Sequence, residues 1–224
     1  MAVRRGTVYA FTSPSAPSAV GFLVLTNDEW NDANVSDCSG VLVYAGQGAG
    51  RIAIPGTPGF AGPLLAVPKA ALTSALTQLA ATQLQPVIGL LREVLAIDEL
   101  RGTPARSPAP VPGVITYPRW AQISYAGPPV GDEGETKRQV IVSRDDYNKA
   151  LQGAVCLRTT TSPKRGGLGF PGLADGTKVV CVLPTFMPNA LIRFGPRDGR
   201  PVPDQCFRAD MIAIAAGLCD SLDL

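Results

Sequence analysis

The feature that most limits the fold is a proline-rich run, Arg101 to Gly113, placed near the middle of a 224-residue chain. Pro104, Pro108, Pro110 and Pro112 each fix φ and remove a backbone donor, so neither a helix interior nor a central strand can pass through them. Such a run forms a stiff, extended connector. It leaves roughly 100 residues on either side, enough for one small domain each. The expected organisation is a domain over residues 1–100, a linker over 101–113 and a second domain over 114–224.

The two sides repeat one another. Phe22-Leu23-Val24-Leu25-Thr26-Asn27-Asp28-Glu29-Trp30-Asn31 parallels Gln139-Val140-Ile141-Val142-Ser143-Arg144-Asp145-Asp146-Tyr147-Asn148. Each is an apolar strand, a hydroxyl residue, an acidic turn, an aromatic and an asparagine. Gly6–Phe11 corresponds to Arg119–Tyr125, and Gly40–Tyr44 to Gly153–Leu157. The apolar runs Leu64–Pro68 and Val179–Pro184 are expected to be strands closed by proline. A helix is expected to end each half. Val87, Ile88, Leu91, Val94 and Leu95 recur at steps of three and four, predicting one over Gln85–Leu100. Phe207, Met211, Ile214, Ala215 and Leu218 predict another buried stripe in a helix started by Pro203-Asp204, with Asp204 its N-cap or first-turn acid. Frequent glycine and proline between the runs favour short strands and turns.

Composition removes several kinds of chemistry. The chain has no histidine, so Ser-His-Asp and Cys-His catalysis and histidine metal sites are excluded. Cys38, Cys156, Cys181, Cys206 and Cys219 are odd in number, form no C-x-x-C pair and sit mostly in apolar runs. They read as buried thiols of a reducing compartment. No apolar run approaches a membrane span and no signal peptide is seen, so a cytoplasmic protein without a membrane partner is expected. The first 112 residues hold seven Lys/Arg and seven Asp/Glu, so the net +2 resides in the remainder. The glycine-rich stretch Gly46–Arg51 lacks the Gly-Lys-Ser/Thr ending of a phosphate loop.

The stretch from Gly131 to Ser143 (G-D-E-G-E-T-K-R-Q-V-I-V-S), followed 23 residues after its arginine by Thr161 in V-C-L-R-T-T-T-S, resembles the two motifs of the MazF/PemK toxin family. The resemblance covers most of Trp120–Leu218 and, more weakly, Val3–Leu100. It implies a β-rich α+β chain of two tandem SH3-like barrels, each with a C-terminal packing helix. The two would form an intramolecular pseudo-dimer that is monomeric in solution. It implies a metal-independent endoribonuclease acting on single-stranded RNA, with no cofactor. Arg138 would stabilise the phosphorane charge or act as acid, and Thr161 would position the scissile phosphate. Glu133, Lys137, Arg158, Ser162, Lys164 and Arg165 would contribute to substrate binding, the last two in a basic glycine-rich loop. Gln139 stands where the family usually has proline. In the first half, Val20-Gly21 and Val43-Tyr44-Ala45 retain neither the arginine nor the threonine, so that copy is expected to be scaffold. Two alternatives stand beside this: a silent member that binds nucleic acid, and a CcdB-like inhibitor of a host protein. An antitoxin partner is a further expectation.

Overall fold

An asparagine and a hydroxyl residue at the same place in each half organise the local structure. Asn31 Nδ2 donates to the Thr26 carbonyl at 2.8 Å, and Asn148 Nδ2 donates to the Ser143 carbonyl at 3.0 Å. The Thr26 hydroxyl accepts the Ser39 N–H at 2.5 Å, and the Ser143 hydroxyl accepts the Val155 N–H at 2.8 Å. Asp28 and Asp145 each receive a backbone N–H, from Arg5 at 2.8 Å and Trp120 at 2.7 Å. Each set ties the end of one strand to the start of the next through a short helix. The Thr26 and Ser143 carbonyls and the Ser39 and Val155 N–H groups would otherwise be buried without these partners.

The computed structural model describes residues 2–12, 16–33, 36–48, 51–101, 117–126, 137–162, 167–193 and 205–224. In chain order the elements are β1 (Thr7–Tyr9), β2 (Ala19–Val24), α1 (Asp28–Asp32), β3 (Asp37–Tyr44), β4 (Ile52–Ala53), β5 (Phe60–Pro68), β6 (Ala75–Gln78), α2 (Ala81–Val94) and α3 (Ile97–Arg101). There follow β7 (Ile123–Ala126), β8 (Lys137–Ile141), α4 (Asp145–Leu151), β9 (Gly153–Thr160), β10 (Lys178–Val179), β11 (Thr185–Pro188), β12 (Ile192–Arg193) and α5 (Arg208–Leu222). The architecture is β-rich α+β. The expected linker, residues 101–113, lies outside the described residues apart from Arg101.

One antiparallel sheet has the order β4-β5-β3-β2-β1-β6. The other runs β10-β9-β8-β7-β12, with β11 also pairing with β9. Thus β1 pairs with β2 and β6, and β7 with β8 and β12. A 3-10 turn follows Pro68 in the first half and Pro188 in the second.

The chain divides into two compact units. The first comprises Met1–Arg92, Val182–Thr185 and Leu218–Leu224; the second comprises Glu93–Cys181 and Phe186–Gly217. Inside the first unit the C-terminal residues are well held. Ser221 O accepts the Asn27 N–H at 2.9 Å, and Arg5 Nη2 donates to Leu222 O at 3.3 Å and Asp223 O at 3.0 Å. Its core gathers Tyr9, Phe22, Val24, Cys38, Leu42 and Val67. In the second unit Ile141, Ala154, Cys156 and Ile192 form a smaller cluster.

Three local expectations are corrected. The helix that ends the first half, α2, starts at Ala81, because Gln83 Oε1 accepts the Ala80 N–H at 2.8 Å and caps the turn. It breaks at Ala96, whose φ of 53° is left-handed, and α3 follows. The run Val179–Pro184 is strand only at Lys178–Val179; the proline-closed strand is β11, ending at Pro188. Val180 and Cys181 stay buried by a different route, their N–H groups donating to Arg158 O and Gly169 O at 2.9 and 3.0 Å. In α5, Met211, Ile214, Ala215 and Leu218 are buried as the stripe requires, but Phe207 precedes the helix and is 62% exposed. Asp204 lies outside the described residues.

Among the described residues no helix is long and apolar enough to cross a membrane, and no three Cys, Asp or Glu side chains converge as a metal site would need.

Candidate functional site

Arg138 is the second residue of β8, opposite Tyr125 on β7. On the other side the Thr159 hydroxyl donates to the Arg138 carbonyl at 3.2 Å, so Thr159 is its neighbour on β9. Alternation puts Arg138 on one face of the sheet and Gln139 on the other. The Arg138 side chain is only 16% exposed. Its Nη1 donates to Asp175 Oδ2 and, at 3.2 Å, to Thr177 Oγ1. Its Nε is buried without a hydrogen-bond partner among the described residues.

These groups wall a small pocket with Ile123, Cys206, Phe207 and Asp210, of cavity volume ≈ 20 Å³. That is room for a water-sized group, so the pocket can anchor one oxygen-rich group and cannot enclose a nucleotide. Asp210 Oδ2 accepts the Phe207 N–H at 3.2 Å, which caps the start of α5 and turns the Phe207 ring outward. The Cys206 thiol is pushed up to about 12, chiefly by burial and further by Asp210, with Arg138 opposing. It stays protonated at neutral pH and is a poor nucleophile there.

Asp175 escaped the motif reading because it lies 37 residues from Arg138. The signal was present as turn chemistry in Asp175-Gly176-Thr177. Asp175 Oδ1 accepts the Thr177 N–H at 3.0 Å and hydroxyl at 2.7 Å, and Gly176 takes a φ of 82° open to glycine. Burial alone would raise the Asp175 pKa. Hydrogen bonds from Thr177 and Arg138 outweigh it and hold the carboxyl below its ordinary value. The sign follows: a lowered folded-state pKa adds stability above the ordinary carboxylate range, lost as pH falls through the depressed value.

The remaining sequence-derived residues are distributed as follows. Thr161 is exposed, one residue past the end of β9 and two beyond Thr159; no hydrogen bond joins it to Arg138 among the described residues. Ser162 donates its N–H to the Thr160 hydroxyl at 3.2 Å. Arg158 is exposed and pairs in register with Gln139, so it belongs to the sheet face opposite Arg138. Lys137 opens β8. Glu133, Lys164 and Arg165 lie outside the described residues. In the first unit Gly21 stands on β2 where the repeat places Arg138 on β8. There the glycine-rich stretch is occupied by its own arginine: Arg51 lies 3.5 Å over the Tyr44 ring and donates to Gly46 O at 2.9 Å.

On the opposite face, Ser124 and Gln139 are cross-strand partners, 0% and 1% exposed. Among the described residues, Ser124 Oγ and both amide atoms of Gln139 have no hydrogen-bond partner. The first unit pairs Tyr9 with Phe22 in the matching register, and the Tyr9 hydroxyl is satisfied by Arg4 N–H at 3.0 Å. Burying an unpaired amide costs about 1–3 kcal/mol. Gln139→Met, close in volume, is therefore expected to raise the melting temperature by several degrees. Thermal unfolding followed by circular dichroism checks this, and a lower melting temperature would show that the amide contributes to the fold.

No protein-family profile matches the chain, and none of the curated proteins does. Among solved structures, the chain is similar to one described as an endoribonuclease in complex with its cognate antitoxin from a mycobacterial species. The identity is 21% and the TM-score 0.36, over 48% of this chain and 96% of that one.

Proposed function

We propose that the second half of the chain is a MazF/PemK-like endoribonuclease that cleaves single-stranded RNA without a metal, and that the first half is a degenerate copy of the same domain. The observation that carries this reading is Arg138. Its side chain lines the pocket, on the strand that the motif spacing selects, with Nε buried and unpartnered among the described residues and the exposed Phe207 at the same pocket. A guanidinium edge suits two phosphate oxygens, and an exposed aromatic ring offers a stacking face to a base. In the reaction the ribose 2′-oxygen gives its proton to water and bonds to phosphorus as the P–O5′ bond breaks, and the departing 5′-oxygen takes a proton from water. The products are a 2′,3′-cyclic phosphate and a 5′-hydroxyl. Arg138 stabilises the charge on the phosphorane oxygens, and Thr161, past the end of β9, contacts the phosphate flank. Lys137, Arg158, Ser162, Glu133, Lys164 and Arg165 complete the substrate path in this reading.

The tandem arrangement is supported by the recurrence of strand pairings and of the Thr26/Asn31 bonds at Ser143/Asn148. Two SH3-like barrels acting as a pseudo-dimer, monomeric in solution, are part of the same proposal. An antitoxin that covers the Arg138 pocket belongs to the same proposal.

A second reading, binding of RNA without cleavage, is favoured by two observations: Asp175 already occupies Nη1 of Arg138, and Thr161 makes no bond to Arg138 among the described residues. One assay separates the two. End-labelled single-stranded RNA is incubated with the protein in excess EDTA, and the products are tested for a cyclic phosphate. Fragments with that end are expected. Intact RNA with salt-sensitive retention on a filter would select the binding reading. Intact RNA without retention would sink both.

A further inference from the structure

Arg138 has two hydrogen-bonding edges, and the structure treats them differently. Nη1 is bound by Asp175 and Thr177, while Nε, on the other edge, is buried and unpartnered among the described residues. A side chain with four rotatable bonds does not keep such an orientation unaided. The group that holds it is itself held. Asp175 Oδ1 takes two hydrogen bonds from Thr177, and the turn is closed by Leu173 N–H to Thr177 O at 2.7 Å and Gly176 N–H to Leu173 O at 2.9 Å. The turn leads directly into β10, whose Val179 pairs with Thr159 beside Arg138. The carboxylate is thus anchored through backbone to the same sheet that carries the arginine.

We propose that Asp175 is a positioning residue: it grips Nη1 so that the Arg138 guanidinium keeps one orientation in the pocket wall, where an oxygen of a phosphodiester can meet it. This rests on the reading of the pocket as an RNA site. The carboxylate then has two opposed effects. Its charge offsets that of the guanidinium and weakens ground-state attraction for phosphate. Its hydrogen bond sets the orientation on which transition-state stabilisation depends. Removing the charge and removing the grip are separable, because asparagine keeps an acceptor oxygen and alanine does not.

The test compares wild type, Asp175→Asn and Asp175→Ala as full-length chains. With labelled single-stranded RNA, Asp175→Ala is expected to lose about ten- to a hundredfold in kcat, with KM unchanged or lower. Asp175→Asn is expected to recover most of kcat and to keep the lower KM. Equal kcat for wild type and Asp175→Ala would overturn the proposal, as would a loss carried wholly by KM. A second readout does not need activity: the Arg138 Nε–H resonance in 15N-edited spectra, assigned by its disappearance in Arg138→Ala. It is expected to be dispersed and slow to exchange in wild type and in Asp175→Asn. In Asp175→Ala it is expected to move to the position of free arginine side chains. A resonance unmoved in Asp175→Ala overturns the positioning role whatever the activity. If wild type neither cleaves nor binds RNA but the resonance collapses in Asp175→Ala, the RNA reading fails and the grip on Arg138 stands.

Discussion

Arg138→Ala is expected to lower the rate of RNA cleavage by about two to three orders of magnitude, the usual effect of removing one preorganised donor to developing charge. The expectation rests on where this arginine sits. Most of its side chain is withdrawn from water, its Nη1 end is tethered, and Thr159 on the neighbouring strand bonds to its backbone. A buried guanidinium interacts with phosphate oxygens more strongly than a solvated one, because less of its field is screened. Arg138→Lys is expected to recover little, since an ammonium offers no planar fork. The fold is expected to survive the change. Asp175 would lose one partner but keep its bonds from Thr177, and it is 35% exposed, so solvent replaces much of what is lost. Single-turnover cleavage and thermal unfolding of the same preparations check both parts. Cleavage at the wild-type rate would remove Arg138 from the chemistry.

The largest effect on stability is expected from Asn148→Ala. Asn148 is fully buried; its amide donates to Pro118 O at 2.9 Å and Ser143 O at 3.0 Å, and its Oδ1 accepts the Ser143 hydroxyl. Alanine would strand those three groups away from water. At about 1 kcal/mol for each stranded group the loss is roughly 3 kcal/mol. For a chain of this size that corresponds to a fall in melting temperature of roughly 6–12 °C. Asn31→Ala provides the comparison, because among the described residues Asn31 makes one side-chain bond, to Thr26 O, and its Oδ1 has no partner. Its cost is expected to be less than half as large. Paired thermal melts decide the order, and an equal or larger loss at Asn31 would refute the hydrogen-bond account.

These two asparagines also show why the repeat was legible in the sequence. Thr26 and Ser143, Asn31 and Asn148 are bonded to backbone 5 to 13 positions away, so a short window of sequence contains most of the unit, while Asp28 and Asp145 reach back 23 and 25 positions. The strands beside them were readable for the same local reason. Phe207 was misplaced because periodicity extends a helical stripe past its end, and only the bond from Phe207 N–H to Asp210 marks where α5 begins. Val179–Pro184 was misread as strand because burial and strand pairing leave the same apolar signature. For the site, Arg138 was accessible through its motif. Asp175 was not, since nothing short of the fold brings a turn residue across 37 positions to that guanidinium. The polar pair Ser124–Gln139 shows a similar limit: each looks like an ordinary strand residue until the register sets them side by side.

The exchange of chain ends has a consequence for how this protein can be taken apart. The proline-rich run separates the halves of the sequence, yet the first unit is completed by Leu218–Leu224, and Glu93–Arg101 belongs to the second. Arg5 and Asn27 take their C-terminal partners from residues more than 190 positions away. A polypeptide ending before the linker would lack the last piece of its own unit, and one beginning after it would lack the piece that supplies Val94 O to the Arg144 N–H. The natural place to divide the covalent chain is therefore not a place where two autonomous folds part. Either half made alone is an incomplete jigsaw whose missing tab is printed on the other.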